Sequence, residues 1–291
     1  MSERAPIHLG SGEPMLLLHP FMMSQNVWKG VAPLIAGVDV ADSAAPATGR
    51  YEVLAPTMPG HNGGIKGRFF LDTAELADDM ERRMDALGWD TAHIVGNSLG
   101  GWVAFELARR GRARTLTGIA PAGGWTRYTP AKFEIVFKFV AGLPVYLGAK
   151  VLGPRALKLP YVRQLGFVPI SATADRLTDE QWLDIIDDVT HCPAYYQLLV
   201  KSLLMPGLME LAEAETPTHL VICEKDRVLP HPRFTRHFTK HLPKSTHVTH
   251  LEGVGHIPMF EAPQQVADLI VSFVDRYAQP ARDDKPHEAI G

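Results

Sequence analysis

Cysteine is almost missing from this chain: 291 residues contain 2, Cys192 and Cys223. No second pair exists to complete a zinc site, and no repeated spacing marks a disulfide scaffold, so two buried thiols in a reducing compartment are expected. An excess of one charge is also missing. The 29 basic and 32 acidic residues leave a formal charge of −3, which gives no electrostatic reason to expect nucleic acid or a strongly anionic membrane as partner. No stretch supplies the ~18 uninterrupted apolar residues of a membrane-spanning helix. The nearest, Phe133–Gly153, is interrupted by Glu134, Lys138, Pro144 and Lys150. No basic amphipathic face supports activation at a lipid interface either. Met1–Pro6 lacks the basic-then-apolar run of a secretory signal, and a cytoplasmic protein is expected. Internal repeats and long low-complexity tracts are absent as well.

What is present is the material for a large core, with 46% hydrophobic residues, and an alternation of short apolar runs with longer helical patterns. Strands are expected at Met15–His19, Tyr51–Ala55, Thr91–Val95, Thr115–Ala120, His219–Cys223 and Thr246–Leu251. Helices are expected at Asp72–Leu87, Leu99–Arg110, Pro232–His241 and Pro263–Tyr277. This order predicts an α/β fold with a mainly parallel central sheet and helices on both faces. Between Trp125 and Leu211 the alternation stops, and helix formers and prolines take over. The division expected is therefore a core of residues 1–124 and 212–278, an inserted helical cap at 125–211 and a solvated tail at 279–291, with Gly37–Arg50 as a small-residue loop.

The chemistry starts at Gly96-Asn97-Ser98-Leu99-Gly100-Gly101, a G-x-S-x-G pattern with a strand leading in and an amphipathic helix leading out. A serine on such a tight turn has its hydroxyl exposed above the sheet, and the flanking glycines relieve the clash where strand and helix approach. Read from the residues alone, Ser98 as a simple cap of the following helix is the alternative. Strand, turn and helix together resemble the α/β-hydrolase family over about Pro14 to Tyr277, with Ser98 as nucleophile.

The resemblance implies a chain order of nucleophile, acid and histidine, each after a strand. His219-Leu-Val-Ile-Cys-Glu-Lys-Asp226-Arg-Val-Leu-Pro230 looks like the family's acid loop, with Asp226 the only aspartate between Asp188 and Asp268. Glu224 is the competitor, and a solvated turn residue is the plain alternative for Asp226. Leu251-Glu-Gly-Val-Gly-His256-Ile-Pro-Met-Phe-Glu261 resembles the family's histidine loop, which selects His256 among 13 histidines. In such a triad the histidine takes the serine proton and the carboxylate fixes its tautomer. The oxyanion donors implied are the N–H groups of Leu99 and of Phe21, in His19-Pro20-Phe21, since Pro20 has none.

The expected reaction is hydrolysis of small to medium apolar carboxylic esters through an acyl-enzyme, with no cofactor and no metal. The expected partner is a small-molecule substrate; oligomeric state stays open. Met22, Met23, Phe137, Val140, Ile257 and Met259 are the candidate pocket residues. A nucleophilic serine argues against the dehalogenase and epoxide hydrolase branches, which use a carboxylate. Carbon–carbon bond hydrolysis of ring-cleavage products is the enzymatic alternative, although those relatives commonly carry tryptophan after the histidine and this chain has Ile257. A ligand-binding receptor on the same fold is the alternative of another class.

Overall fold

A computed structural model describes residues 3–38, 49–67, 71–126, 128–159, 162–166, 169–204, 206–208, 211–212 and 214–277. The expected tail, 279–291, and most of the loop Gly37–Arg50 lie outside the described residues. The strands are β1 (Ile7–Leu9), β2 (Glu13–Leu18), β3 (Tyr51–Ala55), β4 (Ala92–Asn97), β5 (Ala113–Ile119), β6 (Thr218–Cys223) and β7 (His247–Leu251). They form one seven-stranded sheet in the order β1-β3-β2-β4-β5-β6-β7. Only β1 runs antiparallel, against β3; the other pairs are parallel. The six expected strands are all present within one or two residues of their expected ends. β1 was not anticipated, because three residues with His8 in the middle make no apolar run.

A parallel strand buried on both faces reads as a continuous apolar run, and β2 shows why. Met15 and Leu17 join one core cluster, while Leu16 and Leu18 join the other. All four are fully buried, each stabilising the fold by roughly 1.5–3 kcal/mol relative to exposure. The first cluster is closed by α1 (Ala32–Ala36) and, from the far end of the chain, by the helix Pro263–Val274. The second is closed by α2 (Thr73–Ala86) and α3 (Leu99–Arg109). Asp72 accepts from the N–H groups of Ala74 and Glu75 and so caps α2.

Between β5 and β6 the described chain is helical: α4 (Ala131–Ala141), α5 (Leu143–Leu152), α6 (Val162–Gly166), α7 (Asp179–Thr190) and α8 (Tyr195–Leu204). After β6 come α9 (Arg236–His241), α10 (Pro258–Glu261) and α11, the helix Pro263–Val274 already met. The helix expected from Pro232 thus begins at Arg236, with turns before it. Helix α7 is tied to the core by one buried carboxylate. Asp188 accepts from Ser24 Oγ at 2.6 Å and from Asn62 Nδ2 at 3.1 Å. Burial pushes its carboxyl up to about 6 against those hydrogen bonds. Cys192 and Cys223 are free and buried.

Two buried histidines fasten the loop after β2 to the loop after β3. His19 donates from Nδ1 to the Pro20 carbonyl at 2.9 Å and accepts the Met58 N–H at Nε2 at 2.8 Å. His61 packs edge-on against it, with ring centroids 4.8 Å apart. Burial lowers both: His19 lies well below the usual value, and His61 falls from 6.5 to about 4. The folded state therefore binds fewer protons than the unfolded one in that interval. The stability that neutral His61 contributes is complete above 6.5 and is lost as the pH falls toward 4, a difference of about 3 kcal/mol. His61→Gln is expected to flatten the decline of the urea midpoint between about pH 7 and about pH 4.5. An unchanged slope in that variant would refute the assignment.

Candidate active site

Strand β4 ends at Asn97, helix α3 begins at Leu99, and Ser98 alone makes the turn, at φ 54° and ψ −113°. A non-glycine residue held there stores on the order of 1–3 kcal/mol of strain. Its backbone is fixed from three sides. The Ser98 N–H donates to Ile119 O at 3.0 Å, and its carbonyl accepts from Trp102 at 3.1 Å and Ala122 at 2.9 Å. The neighbouring glycines are a steric necessity. A Cβ on Gly96 would lie 2.1 Å from Gly100 O, and one on Gly100 would lie 2.3 Å from Leu18 O. The Ser98 side chain makes no capping hydrogen bond to α3, which removes the helix-cap alternative.

Asp226 and His256 meet directly. Oδ2 of Asp226 accepts from Nδ1 of His256 at 2.7 Å. Oδ1 accepts from the N–H groups of Val228 and Leu229, both at 2.8 Å. The carboxylate is thus locked by its own turn, and the imidazole carries its proton on Nδ1, leaving the Nε2 lone pair available. Glu224 is used elsewhere. It is solvent-exposed and accepts from Gly253 N–H at 2.7 Å and from Lys225 Nζ at 2.9 Å. Those two contacts, the backbone one first, hold its carboxyl below the usual range.

Three further residues place the histidine loop. Asn97 Nδ2 donates to the carbonyls of His256 at 3.0 Å and Ile119 at 2.9 Å, joining that loop to the β4 and β5 ends. Glu261 accepts from Gly255 N–H at 2.6 Å and from Ala172 N–H at 2.8 Å. The Ile257 N–H donates to Ile170 O at 2.9 Å. Sequence reasoning missed the part Asn97 plays; its only signal was its position before Ser98.

Ser98 and His256 share the wall of a cavity of about 570 Å³. Phe21 and Leu99 line it too, and among the described hydrogen bonds neither of their N–H groups has an acceptor. Met22 stands at φ 66°, the strained turn that follows Phe21. Of the expected pocket residues, Met22, Met23, Phe137 and Ile257 line the cavity. Val140 and Met259 do not, and that expectation is corrected. Val140 is turned to solvent on α4, and Met259 packs inside the core cluster of α1 and α11. The aromatic lining was not foreseen: Trp102, Trp125, Tyr146, Trp182 and Tyr195 all contribute. Tyr195 stacks on Tyr146 at 4.9 Å and on Phe21 at 5.9 Å, which braces the Phe21 loop.

The model of the alpha/beta hydrolase family matches residues 15–269, and the chain belongs to that family. Epoxide hydrolase EphH of Mycobacterium tuberculosis is 59% identical over 205 residues, covering 70% of this chain and 96% of that one. Another Mycobacterium tuberculosis protein, of uncharacterised function, is 28% identical over 95% of this chain and 79% of its own length. Among solved structures, an esterase from Thermogutta terrifontis superposes with a TM-score of 0.70 at 19% identity, covering 94% of each chain. The epoxide hydrolase CorEH superposes at 0.69 and 18% identity, covering 93% of this chain and 94% of that chain. At such identities the superpositions establish the shared fold.

Asp226→Asn is expected to fold normally and lose up to ~10⁴-fold in turnover, because the imidazole loses its fixed tautomer. Glu224→Gln is expected to stay within about threefold of wild type. Kinetics of both variants on one activated ester, with circular dichroism for folding, decide between them. Collapse of Glu224→Gln with a near-normal Asp226→Asn would contradict the geometry.

Proposed function

We propose that this alpha/beta hydrolase cleaves carboxylic esters of apolar, moderate-sized substrates, with Ser98 as nucleophile, His256 as base and Asp226 as orienting acid. The observation that carries the reading is the Asp226–His256 hydrogen bond, with His256 on the same cavity wall as a serine held at φ 54°. In acylation His256 Nε2 takes the Ser98 proton while Oγ adds to the substrate carbonyl. The oxyanion sits between the N–H groups of Phe21 and Leu99. The imidazolium then returns its proton to the departing alkoxide, leaving an acyl-serine. Water, deprotonated by the same imidazole, attacks that acyl group and restores Ser98.

The relative named as an epoxide hydrolase makes epoxide opening the reading to set against this one, and the chemistry of a serine nucleophile weighs against it. A carboxylate that opens an epoxide gives an ester that water can cleave. A serine alkoxide would give a β-hydroxyalkyl ether, with no carbonyl for water to attack, and the enzyme would be spent after one turnover. Ser98 therefore favours acyl substrates. Carbon–carbon hydrolysis also passes through a carbonyl, but nothing in the described pocket favours it over esters. The helical segment 125–211 acts in this reading as the cap, since α4, α5 and α8 supply much of the lining. The free cysteines fit a reducing, cytoplasmic setting.

Nitrophenyl esters of graded acyl length and a styrene-type epoxide, tested on wild type and Ser98→Ala, discriminate the readings. Ester turnover should peak at intermediate acyl length, and Ser98→Ala should lower it by about 10⁵-fold. Epoxide hydrolysis that is faster than ester cleavage and survives in Ser98→Ala would overturn the proposal, because His256 and Asp226 would then be activating water alone.

A further inference from the structure

The outer surface of the helical segment is apolar to an unusual degree. On α4, Phe133, Phe137 and Val140 are exposed at a spacing that puts them on one face. Helix α8 packs beside α4 and exposes Tyr196, Val200 and Leu204 at helical spacing. Helix α5 adds Val145, Leu147, Val151 and Leu152, and Leu159 follows the next turn. Val151 is 85% exposed, and Phe133 and Phe137 are 69% and 71% exposed. Monomeric surfaces seldom leave so many large apolar side chains together in water. Residues 131–158 are also long and apolar enough, by length and composition, to cross a membrane. However, Gly142 and Gly153 break the stretch into α4, α5 and a 3-10 turn, so it forms a surface layer.

Charge tells what would cover this layer. Residues 128–166 contain six Lys or Arg and one acidic residue, Glu134, within a chain that is net negative at −3; Lys132 is buried, and Lys138 and Arg163 pair with Glu134 and Asp179, which leaves Lys150, Arg155 and Lys158 to the surface. Lys150, Arg155 and Lys158 are exposed among the apolar side chains of α5 and the following turn, and among the described residues no carboxylate pairs with them. The basic, apolar surface is assembled across several elements, which is why no single helix revealed it. The same surface reaches the cavity. Phe137, Val145 and Leu165 are exposed and also line the cavity that holds Ser98 and His256, so this face adjoins the cavity.

We propose that the α4–α5–α8 face docks on a lipid bilayer bearing anionic headgroups, with the exposed apolar side chains entering the interface and Lys150, Arg155 and Lys158 pairing with headgroup phosphates. The cavity mouth then opens onto the acyl-chain region, and an apolar substrate dissolved in the bilayer enters without crossing water. The docking does not depend on which bond Ser98 attacks, so it stands or falls separately from the esterase reading.

Sedimentation of the full chain with phosphatidylcholine vesicles, with and without phosphatidylglycerol, tests it. Wild type should partition at least about tenfold better onto the anionic vesicles, with the preference fading as salt rises. The double variant Phe133→Ser/Val151→Ser and the triple variant Lys150→Glu/Arg155→Glu/Lys158→Glu should each lose about tenfold in partition while keeping the wild-type melting temperature. Absent or headgroup-independent binding of the wild type overturns the proposal and needs no variant to show it. A concentration-dependent dimer in analytical ultracentrifugation, dissolved by Phe133→Ser/Val151→Ser and accompanied by no vesicle binding, overturns it in favour of contact between copies of this chain.

Discussion

The backbone of Ser98 sits in a conformation that L-residues avoid, and most of the surrounding architecture serves to keep it there. Gly96 and Gly100 lack side chains because β2, β4 and α3 come together around the turn with no room for a Cβ. The Ser98 N–H is held by the end of β5 and its carbonyl by Trp102 and Ala122. Strain of this kind persists only where neighbours over-determine it. Its consequence is positional: the hydroxyl projects above the C-terminal edge of a parallel sheet, where α/β folds place their ligand crevices. Asn97 extends the same constraint to the histidine loop, because one amide group joins the end of β5 to the His256 carbonyl.

Asp226 is held by a different device. It accepts two backbone N–H groups from its own turn and the imidazole Nδ1–H of His256, so its orientation does not depend on the helical segment between β5 and β6. His256 does depend on it in part. Glu261 and Ile257 hold that loop through Ala172 and Ile170, in the segment between α6 and α7. The helical segment therefore bears on His256 as well as on the cavity walls. Asp188, buried on α7, ties that segment to Ser24 and Asn62 of the core.

Legibility in the sequence followed the locality of the cause. Strands with continuous apolar runs, such as Met15–Leu18, announce themselves, whereas β1 exists only because β3 offers it an edge. The turns that carry Ser98, Asp226 and His256 were readable because each is local in the sequence. Asn97 was not, because its task is defined by a carbonyl 159 residues away. Phe137 and Val140 are three positions apart on one helix, yet only the first lines the cavity; which way α4 turns is settled by its packing on α8. The aromatic wall has the same origin. Tyr146 and Tyr195 come from separate helices and meet only in the folded chain.

The central claim is that the reaction passes through a covalent acyl group on Ser98, formed because His256 and Asp226 are already aligned. Rapid quenching of the protein with an activated ester, followed by mass spectrometry of its peptides, observes that intermediate directly. The account predicts one added acyl mass on the peptide containing Ser98, appearing before steady-state product and missing in Ser98→Ala. Turnover without any adduct, or an adduct on a peptide lacking Ser98, would contradict it.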